Sequence, residues 1–340
     1  MKRHEFAFAA MAGGAALWLT FETRSAGASP PIVEHVGPCD ASASVSVSPA
    51  RFVVANDEDN LLRIYEEGTP NPLPGALDLN LFLNIDPKNP EADIEGATRI
   101  ADRVYWIASH GANKNGKPRP NRHRLFATDL MQGPGINLKP AGTPFSGLVA
   151  ALSGIAVPGF NAAAAAAKAP ESQDGLNIEG LTRTPDDKLL IGFRNPILNG
   201  KALLVPLDNP EDVVAGKAAP VFGSPILLDL GGRGIRSIEY SDLRKEYLIA
   251  AGAYDDSGRF ALYRWSGGSA DQPAEIPGID LQGLRPEALA IAPGAPRALL
   301  LSDDGSRPVG GTPCKDLPNP NDRGFRAMPV DIGSASGSTQ

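Results

Sequence analysis

Glu95, Glu179, Glu239 and Glu287 recur in one local setting: each sits in an alternating segment followed, past a turn, by an apolar run. Carboxylates that return in this way converge wherever the repeats are arranged about an axis. Converged like charges need a cation, protonation or hydrogen bonds to relieve them. Calcium takes roughly six to eight oxygens at flexible geometry and suits such a ring better than zinc. The glutamates are therefore candidate metal ligands, with calcium as the expected cofactor. They also fit a purely structural role, each accepting hydrogen bonds from backbone N–H groups of the neighbouring unit.

A second group lies between residues 110 and 124, where Lys114, Lys117, Arg119, Arg122 and Arg124 accompany His110 and His123 with no acidic residue among them. The whole chain has 32 basic against 39 acidic residues, net −7. That balance argues against a nucleic-acid partner, which needs a basic face, whereas a local positive segment attracts a small anion. His110, Lys114, Lys117, Arg119 and Arg194 are the candidate anion-binding residues. A solvated loop whose arginines pair with nearby carboxylates accounts for the same run. Polar clusters end the second strand of each repeat: Asn56-Asp57-Glu58-Asp59, Ser109-His110, Arg194-Asn195, Asp255-Asp256 and Ser302-Asp303-Asp304. On one rim they would make a mixed site for an anionic ligand with a bridging cation.

Familiar catalytic patterns fail on inspection. Gly111 to Lys117 matches G-x-x-x-x-G-K, but Pro118 stands where a P-loop needs a hydroxyl, and a strand follows instead of a helix. No G-x-S-x-G segment occurs, and Ser109 and His110, as strand neighbours, point to opposite sides. Gly231-Gly232-Arg233-Gly234 lacks the spacing of a dinucleotide loop. No catalytic residue is assigned.

The elements that must position these groups are short, because 37 Gly and 32 Pro leave no room for long helices. Ile94-Glu95-Gly96 leads into Val104 to Ile107, Ile178-Glu179-Gly180 into Leu189 to Gly192, Ile238-Glu239-Tyr240 into Glu246 to Ile249, and Pro286-Glu287-Ala288 into Ala298 to Leu301. A copy without the glutamate runs from Ser42 to Val54. Each reads as a β-hairpin, and two more strand-like stretches follow most of them. The pattern predicts an all-β chain, a β-propeller of five four-stranded blades over residues 29–333. Six blades are possible if the insertion at 146–170 hides a degenerate one. Its alanines favour a helical insertion, although a low-complexity loop would have the same composition. The last repeat has only Arg326 to Ile332 as a third strand, so Ile32 to Val36 is expected to close the ring. Residues 334–340 form a Ser/Gly tail.

Residues 1–28 read as a signal peptide: Lys2-Arg3 precede an apolar run, and Ala26-Gly27-Ala28 supplies the small-residue cleavage pattern. The run is shorter than the ~20 residues of a membrane span, and no later stretch is long enough. The expected product is secreted or periplasmic. In an oxidising compartment Cys39 and Cys314 are expected to pair in a disulfide beside the closing strands and away from the glutamate channel.

Ile94-Glu95-Gly96, Trp106 to Gly111, Asn113-Lys114, Gly116-Lys117-Pro118, Asn121 to Ala127 and Asn177 to Leu181 resemble a bacterial family of unknown function, DUF3616, over roughly residues 40 to 305. Its Glu-Gly strand starts are also similar, more weakly, to exported phytase-like and esterase-like propellers. The first family carries no established activity to transfer. Two functions therefore stand: a calcium-dependent hydrolase acting on a phosphorylated or other anionic substrate, or a non-catalytic exported module that binds an anionic small molecule or a partner protein.

Overall fold

The strand Arg103–Ala108 is apolar at nearly every position because it is buried on both faces: Val104 and Trp106 turn toward one neighbouring sheet, Tyr105 and Ile107 toward the other. The period of two that alternates side chains across a strand thus feeds two cores rather than one core and solvent. The same division holds in Arg51–Ala55, Leu189–Asn195, Glu246–Gly252 and Arg297–Ser302. Sheets that are apolar on both sides have to stack face to face in a closed series.

The computed structural model describes residues 30–131, 135–255 and 257–332. The expected signal peptide over 1–28 and the tail 334–340 lie outside the described residues. Five four-stranded antiparallel sheets form the blades. Blade one consists of Ala43–Ser48, Arg51–Ala55, Leu61–Glu66 and Leu77–Asp78, and blade two of Ile94–Ile100, Arg103–Ala108, Leu125–Met131 and Asn137–Phe145. Asn177–Arg183, Leu189–Asn195, Ala202–Leu207 and Ile226–Leu228 make blade three. Blade four is Gly234–Ser241, Glu246–Gly252, Ala261–Trp265 and Ala274–Glu275. Blade five joins Pro286–Ala290, Arg297–Ser302 and Gly324–Asp331 to Val33–Val36 from the start of the chain. The first strand of every blade is innermost and packs on the inner strands of both neighbours, with blade five returning to blade one.

Closure follows the expected route. Val33–Val36 pairs antiparallel with Gly324–Asp331, Val33 opposite Ala327 and Val36 opposite Gly324. Cys39 and Cys314 form a buried disulfide with Cα atoms 5.9 Å apart across a sequence separation of 275. His35, on the closing strand, stacks on Phe325 at 5.0 Å and meets Phe52 and Tyr65 edge-on.

The insertion between blades two and three holds two short helices, Leu148–Leu152 and Ala162–Ala166, not a sixth blade. Asn161 caps the second by accepting the backbone N–H of Ala164 at 2.9 Å, as a short polar side chain at an N-cap does. Leu148, Leu152, Ala162 and Ala165 are buried in the core between these blades. Apolar alanines with one inward stripe account for helix here, and the remaining insertion runs over one mouth of the channel.

Candidate functional site

The inner strands position the site through a shared irregularity. In blade two Ile94 pairs with Ala108 and Gly96 with Ile107, leaving Glu95 as the extra residue of a bulge. Glu179 occupies the same bulge in blade three and Glu287 in blade five. A bulge re-aims its side chain, and all three glutamates turn into a funnel at one mouth of the channel. The residue after each bulge has to be small. A Cβ on Gly96 would lie 2.9 Å from Ile107, and one on Gly180 only 2.8 Å from Ile235 of the next blade. The Glu-Gly pattern is thus a packing signature.

Blade four departs from the expected ring. Its bulge falls between Ile235 and Ser237, so the residue equivalent to the glutamates is Arg236, with Ser237 in the small position. Glu239 is three residues further along, in regular pairing with Leu248, and lines a separate cavity at the opposite mouth. The expectation of four converging glutamates is corrected to three glutamates and one arginine. Ile235-Arg236-Ser237 matches Ile178-Glu179-Gly180 in residue size, whereas Tyr240 could not fit where Gly180 sits; size rather than charge carried the register.

Arg236 is fully buried and bridges the ring. Its Nη1 pairs with Glu287 Oε1 and lies 3.6 Å from Glu179 Oε2, Nη2 donates to the carbonyl of Ala253 at 3.0 Å, and the guanidinium lies over Phe260. Arg194 Nη1 reaches Glu179 Oε1 at 3.0 Å, and Asn177 Nδ2 donates to the same oxygen at 2.8 Å. Two guanidiniums thus answer two carboxylates, which relieves much of the repulsion that a cation would otherwise have to offset.

The remaining acidic side chains have less compensation. Asp40, Asp57, Asp303 and Glu95 lie along the wall formed by blades five, one and two of a funnel of about 630 Å³. Burial, then the neighbouring Asp303 and Asp57, pushes the Asp40 carboxyl far above the usual carboxylate range. Burial and Asp93 raise Asp57, and burial with Asp93, Glu179 and Glu287 raises Glu95. Among the described residues Asp40 Oδ1 and Asp57 Oδ1 are buried without a hydrogen-bond partner. Gly305 is needed beside them, since a Cβ there would stand 2.1 Å from Asp40 Oδ1. Asp93 is different: Arg122 Nη1 pairs with it at 2.8 Å and Ser109 donates to it. Among the described residues no three His, Cys, Asp or Glu side chains already stand in a metal-ligating arrangement.

Basic residues also enter the funnel wall, Arg194 among them nearly buried. Lys114, Arg119, Arg194, Arg285 and Lys315 line the funnel. Lys114, Arg119 and Lys315 form no ion pair among the described residues. His110 and Lys117 are not in its wall. His110 is fully buried with Nδ1 2.7 Å from the carbonyl of Ala108, and burial together with His123 lowers its pKa to about 3, so it carries no charge to offer an anion. Lys117 is exposed on the turn held by Asn113. Of the expected polar clusters, Asp57, Arg194 and Asp303 reach the funnel, and Asp256 lies outside the described residues. Asp40, Arg285 and Lys315 escaped sequence reasoning, although Asp40 and Lys315 adjoin the two cysteines. For that reason the disulfide is not remote from the site as expected: it anchors part of the funnel.

Comparison with known proteins agrees with the resemblance. The model of the family described as a protein of unknown function (DUF3616) matches residues 162–285. No curated protein matches the chain. Solved structures similar to it include glutaminyl cyclase of Myxococcus xanthus, 12% identical over 88% of this chain and 96% of that one, with a TM-score of 0.43. The PQQ-bound aldose sugar dehydrogenase of Streptomyces coelicolor is 12% identical, covering 89% and 100% at a TM-score of 0.41. The hemopexin-fold protein CP4 of cow pea is 15% identical, covering 71% and 94% at 0.38.

Proposed function

We propose that the funnel binds a small anionic ligand, phosphorylated or otherwise acidic, through a calcium ion seated on Asp40, Asp57, Asp303 and Glu95. The under-compensated acidic wall carries this reading, its Asp303 reaching Arg285 only at 3.8 Å. Arg194 and Arg236 answer Glu179 and Glu287, yet Asp40 Oδ1 and Asp57 Oδ1 stay buried without hydrogen-bond partners among the described residues. A hard divalent cation supplies the missing charge with oxygen ligands at tolerant geometry. Its entry requires the acidic side chains to rotate toward one another. Lys114, Arg119 and Lys315, which line the funnel, would take the outward oxygens of an anion bridged to the cation.

Where a cation-bound water attacks that ligand, the same arrangement is a calcium-dependent hydrolase. Without turnover it is an exported binding module. The disulfide favours an oxidising compartment, in line with the signal peptide expected at residues 1–28. The concave funnel favours a small molecule over a partner protein.

The test is thermal unfolding with calcium and with chelator, alongside hydrolysis of p-nitrophenyl phosphate. At free calcium about 100 times Kd, linkage adds about 2.7 kcal/mol to the native state, and Asp57→Asn should remove most of that gain. A melting temperature that ignores both calcium and chelator eliminates the cation and the hydrolase together.

A further inference from the structure

At the opposite mouth of the channel, all five inner strands end around a cavity of about 250 Å³. Its wall is apolar at Val45, Ile100, Ile291 and Pro293 and charged at Arg99, Arg183, Asp187, Glu239 and Asp242. Glu239 is only 8% exposed, and its carboxyl makes no hydrogen bond among the described residues. Arg183 spends Nη2 on Asp242 at 2.5 Å and lies over the ring of Tyr240; its Nε and Nη1 have no partner among the described residues. A nearly buried carboxyl and two unused guanidinium donors therefore share one small cavity with hydrocarbon walls.

We propose that this second mouth binds a small organic carboxylate between Glu239 and Arg183. Burial holds the Glu239 carboxyl well above the usual range, with Asp242 adding to the rise and Arg183 opposing it. The neutral acid has an O–H to donate to one oxygen of the bound carboxylate, and Arg183 donates to the other. Charge on the ligand meets a neutral donor at Glu239 and the guanidinium that Arg183 shares with Asp242. Val45, Ile100 and Ile291 take the hydrocarbon body, which a hydrated inorganic anion lacks. The site is independent of the calcium reading, being formed by the opposite ends of the inner strands.

The experiment is calorimetric titration of the full chain with butyrate at constant ionic strength, with chelator present. One molecule should bind per chain. Arg183→Gln should weaken binding about tenfold, the scale of one lost charge-assisted hydrogen bond, and Glu239→Leu should do the same. Glu239→Gln is nearly isosteric and keeps an N–H donor, so it should retain the affinity and abolish the loss seen as the wild type is taken to alkaline pH. Melting curves check that each variant is folded. Absence of butyrate binding to the wild type overturns the proposal, as does wild-type affinity in folded Arg183→Gln and Glu239→Leu together.

Discussion

Asp57 and Arg236 show what burial does to charge in opposite circumstances. Asp57 faces other carboxyls, so its folded pKa lies above that of the unfolded chain. The native state then holds more protons than the unfolded state as pH rises from about 4. Its contribution is fully present below the unfolded pKa and fades as pH climbs through the folded value. Without calcium, Asp57→Asn should therefore raise stability at pH 8 more than at pH 4, as urea unfolding in chelator would show; equal effects at both would contradict the crowded-acid account. The buried histidine shifts the other way. Burial lowers His35 to about 4, so its protonation on unfolding should erode stability between pH 6.5 and 4, and His35→Phe should flatten that slope. Arg236 has acidic partners already, and Arg236→Met should cost about 3–5 kcal/mol by leaving Glu287 buried without its partner. A small loss instead would mean that the glutamate takes up a proton.

The bulged inner strand is the element on which the site depends. It aims Glu95, Glu179 and Glu287 into one mouth, with Arg236 buried between the last two, and sends Arg99, Arg183 and Glu239 to the other. The residue after the bulge packs where neighbouring blades come closest, and Gly96, Gly180, Ser237 and Ala288 meet that demand by size alone. Gly180→Val should thus destabilise the chain by about 1–3 kcal/mol, since even a Cβ would lie 2.8 Å from Ile235 and 3.0 Å from the Cα of Gly192. A chemical-unfolding midpoint at the wild-type value would show that the blades can part without penalty. Outer strands tolerate more: Leu77–Asp78 and Ala274–Glu275 pair over two residues each, because nothing pairs with their outer edge.

Across the whole molecule, closure joins stability to the site. The closing strand brings Cys39 and Cys314 together, and the residues after them, Asp40 and Lys315, line the funnel. Removing the bridge with Cys39→Ser and Cys314→Ser should cost about 2–5 kcal/mol through the unfolded chain. It should also weaken calcium binding, because Asp40 loses its anchor. A lower melting temperature with unchanged calcium affinity would separate the disulfide from the funnel.

Much of this architecture was legible in the chain because it rests on local rules. Alternation within Val104 to Ile107, turn residues such as Thr184-Pro185-Asp186-Asp187, and the small residues after Glu95 and Glu179 fix hairpins wherever they occur, and repetition of the hairpin implies the ring. The missing strand of the last repeat even pointed to Ile32 to Val36 for its closure, and Val33–Val36 supplies it. The site was legible only where it followed the repeat. Glu239 shares its residue type with Glu179, but a one-dimensional match cannot tell which of two positions three residues apart falls in the bulge; contact between blades decides that, and it selected Arg236. Asp40, Arg285 and Lys315 come from unrelated stretches and meet because the ring brings strand ends to a common mouth. The pairing of Glu287 with Arg236 and the crowding of Asp57 among carboxyls depend on the distances between those stretches, and distance across an axis is set only when the last blade closes on the first.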